Sequence, residues 1–251
     1  MNTKAMVRNN ALDLIKIIAL VTMVFDHLRF VFPSFQVQLM TVGRWAFPFF
    51  AIAIAYNTFT AIDRNKDETL KKYLVNLGAF SLISEIPYRL MTNNTQTTFN
   101  VMPTLLLGFI YIVLIGKIKA TWLKVVITLT FPVLLLPIEN KLEYGLFGVL
   151  LIGSIYGIAA NKNKSIQILF FIVSVCLALA ANLQYYYPII KVLGLFSVYT
   201  TPLIISITLA MIFGFVAMTR NIITMDIPKV GKWAYWFYPV HMLIIFFILK
   251  I

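Results

Sequence analysis

The stretch ALDLIKIIALVTMVFDHLRF, residues 11–30, indicates the fold class of this protein. It is mostly apolar, and it has the length of roughly 20 residues that a helix needs to cross a bilayer. The whole chain of 251 residues is similar in character, with 61% hydrophobic and 12% charged residues. Soluble domains are about half apolar and about a quarter charged. The composition therefore predicts an all-α polytopic membrane protein. It argues against a soluble enzyme, a disordered chain and a nucleic-acid-binding module.

Apolar runs between breakers predict a single domain over residues 1–251, a bundle of about nine transmembrane helices with short loops. The eighth run is too long for one upright helix and contains Gly194 and Pro202, so we expect a short re-entrant piece followed by a span. We expect the first run to remain as a signal anchor. It is too long for a signal-peptide core. The predicted spans are 11–33, 43–62, 72–91, 101–118, 121–138, 142–160, 165–183, 188–218 and 231–250.

Basic residues alternate along the predicted loops, and this alternation predicts the orientation. Cytoplasmic loops collect Lys and Arg, which also accounts for the net charge of +12 without a nucleic-acid partner. We therefore expect a multi-pass protein of the cell (cytoplasmic) membrane with a cytoplasmic N-terminus, an external C-terminus, and Tyr185, Tyr186 and Tyr187 at the outer interface. The basic segments carry Lys4 and Arg8; Arg64, Lys66, Lys71 and Lys72; Lys117, Lys119 and Lys124; Lys162 and Lys164; and Arg220, Lys229 and Lys232.

Ionisable residues inside the predicted spans are the best candidates for function, because each costs about 2.5 to 3.5 kcal/mol on insertion scales. Nothing in the sequence resembles a metal site, and the one cysteine, Cys176, lies in an apolar run. The intramembrane candidates are Asp13, Lys16, Asp26, His27, Arg29, Arg44, Glu85, Arg89 and His241.

Helical spacing relates the candidates of the first span to one another. Lys16 and His27 share a face about 16 Å apart along the axis, at about 100° and 1.5 Å per residue. Asp26 points about 100° away from His27, so a carboxylate that orients His27 would come from another helix, and Glu85 lies at a similar depth. Structural alternatives stay open. Either histidine can be an interhelical hydrogen-bonding group, Arg29 can snorkel to the interface, and Arg89 can snorkel or pair with Glu85.

Several short segments, in this order, resemble the TraX family, named for the F-pilin acetyltransferase, within the integral-membrane type-three acyltransferase superfamily. A basic residue followed by a histidine in the first span, here Lys16 and His27, resembles the signature of that superfamily. The superfamily usually has Arg at the first position. Lys16 supplies a cation but not a bidentate fork. The segments are DLIKIIALVTMVFDH (13–27), RWAFPFFAIAIAYN (44–57), SEIPYRL (84–90), YGLFGVLLIGSIYG (144–157) and FYPVHML (237–243).

The resemblance implies an enzyme that takes an acetyl or other short acyl group from cytoplasmic acyl-CoA, most simply acetyl-CoA. The acceptor would be an amine or hydroxyl of a peptide, glycan or lipid-linked molecule, and for the TraX family proper it is the N-terminal amine of pilin. No metal and no nucleic acid are implied, and the lipid bilayer is the surrounding partner.

The resemblance also implies roles for individual residues. His27 would be the general base, or would carry the acyl group as an acyl-enzyme. Either Glu85 or Asp26 would hold its tautomer, and Arg44, together with Arg89, would stabilise the oxyanion. Lys16, Arg44, Arg89 and His241 would bind acyl-CoA. Apart from the resemblance, the positive charge and cytoplasmic side of Lys72 and Lys232 make either of them a candidate for its phosphates. The alternatives are a transporter or flippase whose charged groups line a pathway, and a purely structural membrane partner.

Overall fold

The computed structural model describes residues 9–220 and 223–251, with the side chains of residues 184 and 185 left out. The predictions for Lys4, Arg8 and the Tyr185 side chain lie outside the described part. The chain is helical, and no strand occurs among the described residues. The helices are α1 (Asn10–Leu28), α2 (Gln36–Gly43), α3 (Ala46–Asp63), α4 (Asp67–Ile83), α5 (Glu85–Met91), α6 (Met102–Lys117), α7 (Thr121–Leu135), α8 (Gly145–Ala160), α9 (Lys164–Leu193), α10 (Thr200–Thr219) and α11 (Trp233–Ile248), with short 3₁₀ turns at Pro33–Phe35 and Leu136–Lys141.

Four helical stretches are long and apolar enough to cross a membrane: Pro33–Asp63, Thr121–Lys141, Lys164–Leu183 and Thr200–Thr219. Three shorter apolar helices, α6, α8 and α11, accompany them. Helix α1 has the length of a span, but Asp13, Lys16 and Asp26 lie on it and lower its apolar character. The peripheral helix α7 exposes large apolar side chains such as Leu134, at 73% exposure. An exposed apolar face of this kind suits a lipid environment.

Helix α3 lies at the centre of the bundle and contacts α1, α4, α6, α8 and α10. Its sequence AFPFFAIAIAYN alternates bulky and small apolar residues, and Phe47, Phe49, Ala51 and Ala55 are buried. Small side chains let neighbouring helices approach closely, as in membrane bundles generally. Helix α1 packs against α3 on one side and contacts α11 on another.

Four predicted spans differ from the helices observed. The first helix ends at Leu28 rather than residue 33. The third run divides at Ser84 into α4 and α5, because Pro87 has no N–H to donate to the carbonyl of Ile83 and interrupts the helical ladder. The helix of the predicted seventh span, α9, continues past residue 183 to Leu193. The predicted eighth span is therefore shorter, since the piece predicted to be re-entrant is the end of α9 and α10 begins at Thr200.

The helix break that the sequence predicts at Gly194 is observed. Gly194 has φ +81°, a left-handed conformation that glycine adopts without strain, and it ends α9. Helix α10 begins at Thr200, with Pro202 in its first turn, where a missing N–H leaves no helical bond unmade.

The start of α1 and the basic segments around Lys72, Lys117 and Lys232 meet at one end of the bundle, which we call the basic end. The Asn10 side chain donates to the backbone carbonyl of Met225 at 2.9 Å. Lys117 pairs with Asp67. At the opposite end the backbone N–H of Phe99 donates to the carbonyl of Lys141 at 2.7 Å. The sparsely charged loops therefore lie together, away from the basic ones.

Candidate active site

One face of α1 carries Lys16, Leu20, Met23 and His27 into the interior of the bundle. Their spacing of four, three and four residues follows the 3.6-residue period of a helix, which keeps them in one stripe. Lys16 and Leu20 line one cavity, and Met23 and His27 line a second. The stripe that the sequence indicates for Lys16 and His27 therefore runs along both cavities.

The first cavity, the basic-end cavity, has a volume of about 270 Å³ and is enclosed by α1, α3, α4, α6 and α11. Lys16, Lys72 and Lys232 all line it, so three cations from three separate segments meet there. Lys16 is held by Asp13, whose carboxylate lies 3.3 Å from the ammonium nitrogen. The interior of the cavity is mostly apolar, with Phe50, Ala53, Ile54 and Asn57 forming one stripe of α3.

The second cavity, the histidine cavity, is smaller, at about 50 Å³, and more polar. Its charged walls are Asp26, Arg29 and Glu143, with His27 beside them. The two cavities share three wall residues, which we call the junction: Phe50, Val101 and Tyr238.

His27 forms a hydrogen-bonded pair with His241 of α11. His27 Nδ1 lies 2.7 Å from His241 Nε2, and the two rings are nearly parallel, at 1°. His241 Nδ1 lies 2.9 Å from the backbone carbonyl of Phe237. A carbonyl can only accept, so His241 Nδ1 donates there, and a neutral His241 then has Nε2 as its acceptor. His27 Nδ1 must therefore donate, and Nε2 of a neutral His27 carries the lone pair.

The pair leaves His27 prepared to accept a proton. Among the described residues no hydrogen-bond partner lies at His27 Nε2, although the ring lines the histidine cavity. A fixed tautomer with a lone pair at an accessible nitrogen is what a general base needs. The group that orients His27 is a histidine, whereas the sequence indicates a carboxylate.

Asp26 lies between two guanidinium groups. Arg44 donates to one of its carboxylate oxygens and Arg29 Nη1 donates to the other at 2.7 Å. Arg44 is 1% exposed and also donates to the side-chain oxygen of Asn182 at 3.1 Å. A Cβ on Gly43 would overlap Asp26, so glycine at this position permits the close approach.

These contacts differ from what the sequence predicts for Arg44 and Arg29. Arg44 lies behind Asp26 and outside the walls of both cavities, so its geometry supports positioning of Asp26 rather than contact with an oxyanion or with acyl-CoA. Arg29, interpreted from the sequence as a snorkelling residue, pairs with Asp26 and lines the histidine cavity.

Glu85 and Arg89 form the ion pair that the sequence offered as an alternative, with 2.7 Å between Arg89 Nε and Glu85 Oε1. Glu85 also accepts from the backbone and side-chain nitrogens of Asn100, at 2.9 and 2.7 Å. Arg89 donates to the backbone carbonyls of Gln96 and Thr98. Both residues therefore fix the 92–100 loop and line neither of the two cavities. Among the described residues Glu85 makes no hydrogen bond to His27, so the predicted carboxylate partner of His27 is not Glu85. Binding of acyl-CoA by Arg89 stays a prediction.

Glu143 is a site residue that the sequence analysis missed. It lines the histidine cavity and accepts from Thr98 Oγ1 at 2.6 Å and from the Tyr88 hydroxyl at 3.4 Å. The signal that could have identified Glu143 is its position, because it is an ionisable residue at the start of the predicted span 142–160.

No curated protein and no solved structure matches the chain. A family model described as TraX protein matches residues 11–249, nearly the whole chain, and includes every residue that lines the two cavities. The chain therefore belongs to the TraX family.

Proposed function

We propose that this protein is a membrane-embedded acyltransferase. It would move an acetyl or other short acyl group from cytoplasmic acyl-CoA to an amine or hydroxyl of a peptide, glycan or lipid-linked acceptor. The observation that carries the proposal is the His27–His241 pair, with His27 in the wall of a cavity that shares three wall residues with a lysine-edged cavity. Membership of the TraX family is consistent with this class of activity.

The basic-end cavity suits the donor. Lys72 and Lys232 are exposed at its edge, and Lys16 lies further in, so cations are available for the phosphates of a CoA ester. Lysine binds phosphate as a point charge. The apolar stripe of α3 then lines the path from these lysines to Phe50 at the junction. The residues present therefore fit an anionic head followed by a slender, mostly uncharged arm.

His27 would act at the junction end of this path. Its Nε2 would take the proton of the attacking amine or hydroxyl while His241 accepts the hydrogen bond from Nδ1–H. The hydrogen bond between the rings strengthens as His27 gains positive charge, so it favours the transition state over the ground state. Glu143, in the wall of the same cavity, would add negative charge near the imidazolium. Asp26 would not, because Arg29 and Arg44 already offset its charge.

We further propose nine crossings of the cytoplasmic membrane, with the basic end and the N-terminus in the cytoplasm. The meeting of the basic segments at one end supports this orientation, because cytoplasmic loops collect Lys and Arg. The donor cavity would then face the cytoplasm, and the histidine cavity would lie toward the outer side, where the acceptor arrives.

The first experiment tests His27 as the base. Purified protein in detergent is incubated with isotopically labelled acetyl-CoA and a short peptide with a free N-terminal amine, or a glycan, and mass spectrometry detects the gained acyl mass. General acid–base catalysis contributes about 10² to 10⁴-fold. His27→Ala is expected to lose activity by that factor, and activity within about tenfold of wild type would show that His27 is not the base.

A double variant tests whether the two histidines act as one unit. Residues that act together are not additive, so His27→Ala with His241→Ala is expected to be no slower than His27→Ala alone. Separate and multiplying losses would indicate that His241 acts elsewhere.

A matched pair of lysine variants tests the donor site. Lys72→Gln is expected to raise KM for acetyl-CoA. The neighbouring Lys71→Gln should not, because Lys71 is 72% exposed, pairs with Glu68 and lies outside the cavity. Equal effects of the two substitutions would indicate general surface charge rather than a site.

A transporter or flippase is the second candidate, because two cavities that meet at a junction also suit alternating access. The same labelled acetyl-CoA separates the two functions. An acyltransferase releases free CoA thiol and gives a covalently acylated acceptor. A carrier gives neither product.

A further inference from the structure

Tyr238 occupies the point where the two cavities meet. It is 3% exposed and lines both the basic-end cavity and the histidine cavity. It lies on α11 three residues before His241, so the two side chains are held by one turn of helix. Its ring centroid lies 6.5 Å from that of His27 and 5.7 Å from that of His241. The phenol ring is thus adjacent to the base and belongs to the wall that the two cavities share.

The hydrogen bonding of Tyr238 leaves its donor available. The backbone N–H of Val101 donates to the Tyr238 hydroxyl oxygen at 3.4 Å. That bond uses a lone pair of the oxygen and leaves the O–H proton unassigned. Within residues 9–220 and 223–251 no acceptor lies within hydrogen-bonding distance of this proton. A buried hydroxyl usually has both roles filled, so an open donor at this place calls for an explanation.

Two other candidate donors, both arginines, are already engaged. Arg44 is held by Asp26 and Asn182 behind the histidine cavity. Arg29 donates to Asp26 at 2.7 Å. Tyr238 differs because it reaches both cavities and has a proton to donate.

We propose that Tyr238 is the oxyanion donor of the reaction, an inference that rests on the acyltransferase function proposed above. His27 Nε2 takes the proton from the acceptor as the acceptor nitrogen or oxygen bonds to the thioester carbonyl carbon. The carbonyl π pair moves onto oxygen, and the Tyr238 O–H donates a hydrogen bond to that oxyanion without losing its proton. When the carbonyl re-forms, the C–S bond breaks, and the thiolate leaves toward the basic-end cavity with the proton that His27 returns.

The geometry gives this donor its effect. A buried phenol fixed by the Val101 N–H is oriented before the reaction begins, so it needs no rearrangement as charge develops. Removal of one oxyanion donor typically lowers kcat by about 10² to 10³-fold. Because the hydrogen bond forms to charge that exists only in the transition state, the loss falls on kcat rather than on KM.

The experiment compares Tyr238→Phe with Tyr111→Phe in the full-length protein, using labelled acetyl-CoA and the same peptide acceptor. Tyr111 is similarly buried, at 4%, and lies outside both cavities. Tyr238→Phe is expected to lower kcat about 10² to 10³-fold with KM for acetyl-CoA within about threefold. Tyr111→Phe is expected to keep wild-type kinetics. A Tyr238→Phe enzyme with kcat close to that of wild type overturns the proposal while leaving the acyltransferase function intact.

A second variant guards against a folding defect, since Tyr238→Phe also removes the acceptor of the Val101 N–H. 4-Aminophenylalanine at position 238 keeps the size of the side chain, an N–H donor and an acceptor. It is expected to restore kcat to within about tenfold of wild type, with the thermal stabilisation by CoA unchanged. A folded, CoA-stabilised protein that stays as slow as Tyr238→Phe would overturn the donor role. Absence of any acyl transfer by the wild type would instead remove the proposed function itself.

Discussion

Replacement of His241 tests how much the histidine pair contributes. The informative comparison is His241→Leu with His241→Gln. Leucine removes the acceptor of the His27 Nδ1–H, whereas the side-chain oxygen of glutamine can still accept it. Both side chains are close in size to each other, so the difference between the two variants isolates the hydrogen bond.

The magnitude follows from the geometry of the pair. The 2.7 Å separation of His27 Nδ1 and His241 Nε2 is that of a strong hydrogen bond, and it becomes a bond to a charged group when His27 is protonated. Such bonds contribute about 1.5 to 3 kcal/mol, against about 0.5 to 1.5 kcal/mol for a bond between neutral groups. Only the difference of about 1 to 1.5 kcal/mol lowers the barrier, because the neutral bond is already present before the reaction. Since about 1.4 kcal/mol corresponds to a factor of ten in rate, His241→Leu should lower kcat about 5- to 12-fold. His241→Gln should recover most of that loss.

The assay is initial-rate release of CoA thiol at saturating acetyl-CoA, with labelled product confirmed by mass spectrometry. Thermal unfolding in the presence of CoA serves as the folding control. A His241→Leu enzyme as fast as wild type would refute the argument, as would equal rates for the leucine and glutamine variants. A loss larger than that of His27→Ala would indicate that His241, rather than His27, is the general base.

Two further predictions concern stability. Arg44→Met should lower the free energy of unfolding by about 1 to 3 kcal/mol, because the Asp26 carboxylate loses one buried hydrogen-bond partner but keeps Arg29. Denaturant unfolding in micelles measures the free energy of unfolding. Lys71→Met is the exposed control and is expected to change that free energy by less than about 1 kcal/mol. Equal effects of the two substitutions would contradict the reasoning. Asn100→Ala should speed amide hydrogen exchange in the 92–100 loop by roughly tenfold or more, because Glu85 loses a hydrogen bond that fixes the loop. The 194–199 loop should exchange as in wild type, and an unchanged 92–100 loop would show that Glu85 does not anchor it.

The features that could be predicted from the sequence are those set by the 3.6-residue period within a single helix. Lys16 and His27 lie on one stripe of α1, and the ladder breaks at Gly194 where a left-handed residue is needed. The pairing of Glu85 with Arg89 was also among the alternatives, because four residues along a helix bring side chains together.

The sequence could not predict contacts that depend on how helices cross. Counted at about 1.5 Å per residue from the predicted starts of their spans, His27 lies about 24 Å deep and His241 about 15 Å deep, so their depths do not match. The rings nevertheless lie at hydrogen-bonding distance, so the predicted starts of the two spans do not give the relative depth of these residues. Glu85 was predicted to lie near His27 only because the two residues have a similar depth in the membrane. A similar depth does not specify which neighbouring helix a side chain faces.

The histidine pair is assembled across the contact between α1 and α11, and neither helix holds both members. A shift of about one ångström between these two helices would break the bond while every helix stayed intact. Bilayer thickness and lateral pressure act on helix tilt in this way. Turnover should accordingly vary with the lipid or detergent chosen before any loss of helicity is seen, and a preparation that is well folded by circular dichroism can still be catalytically silent.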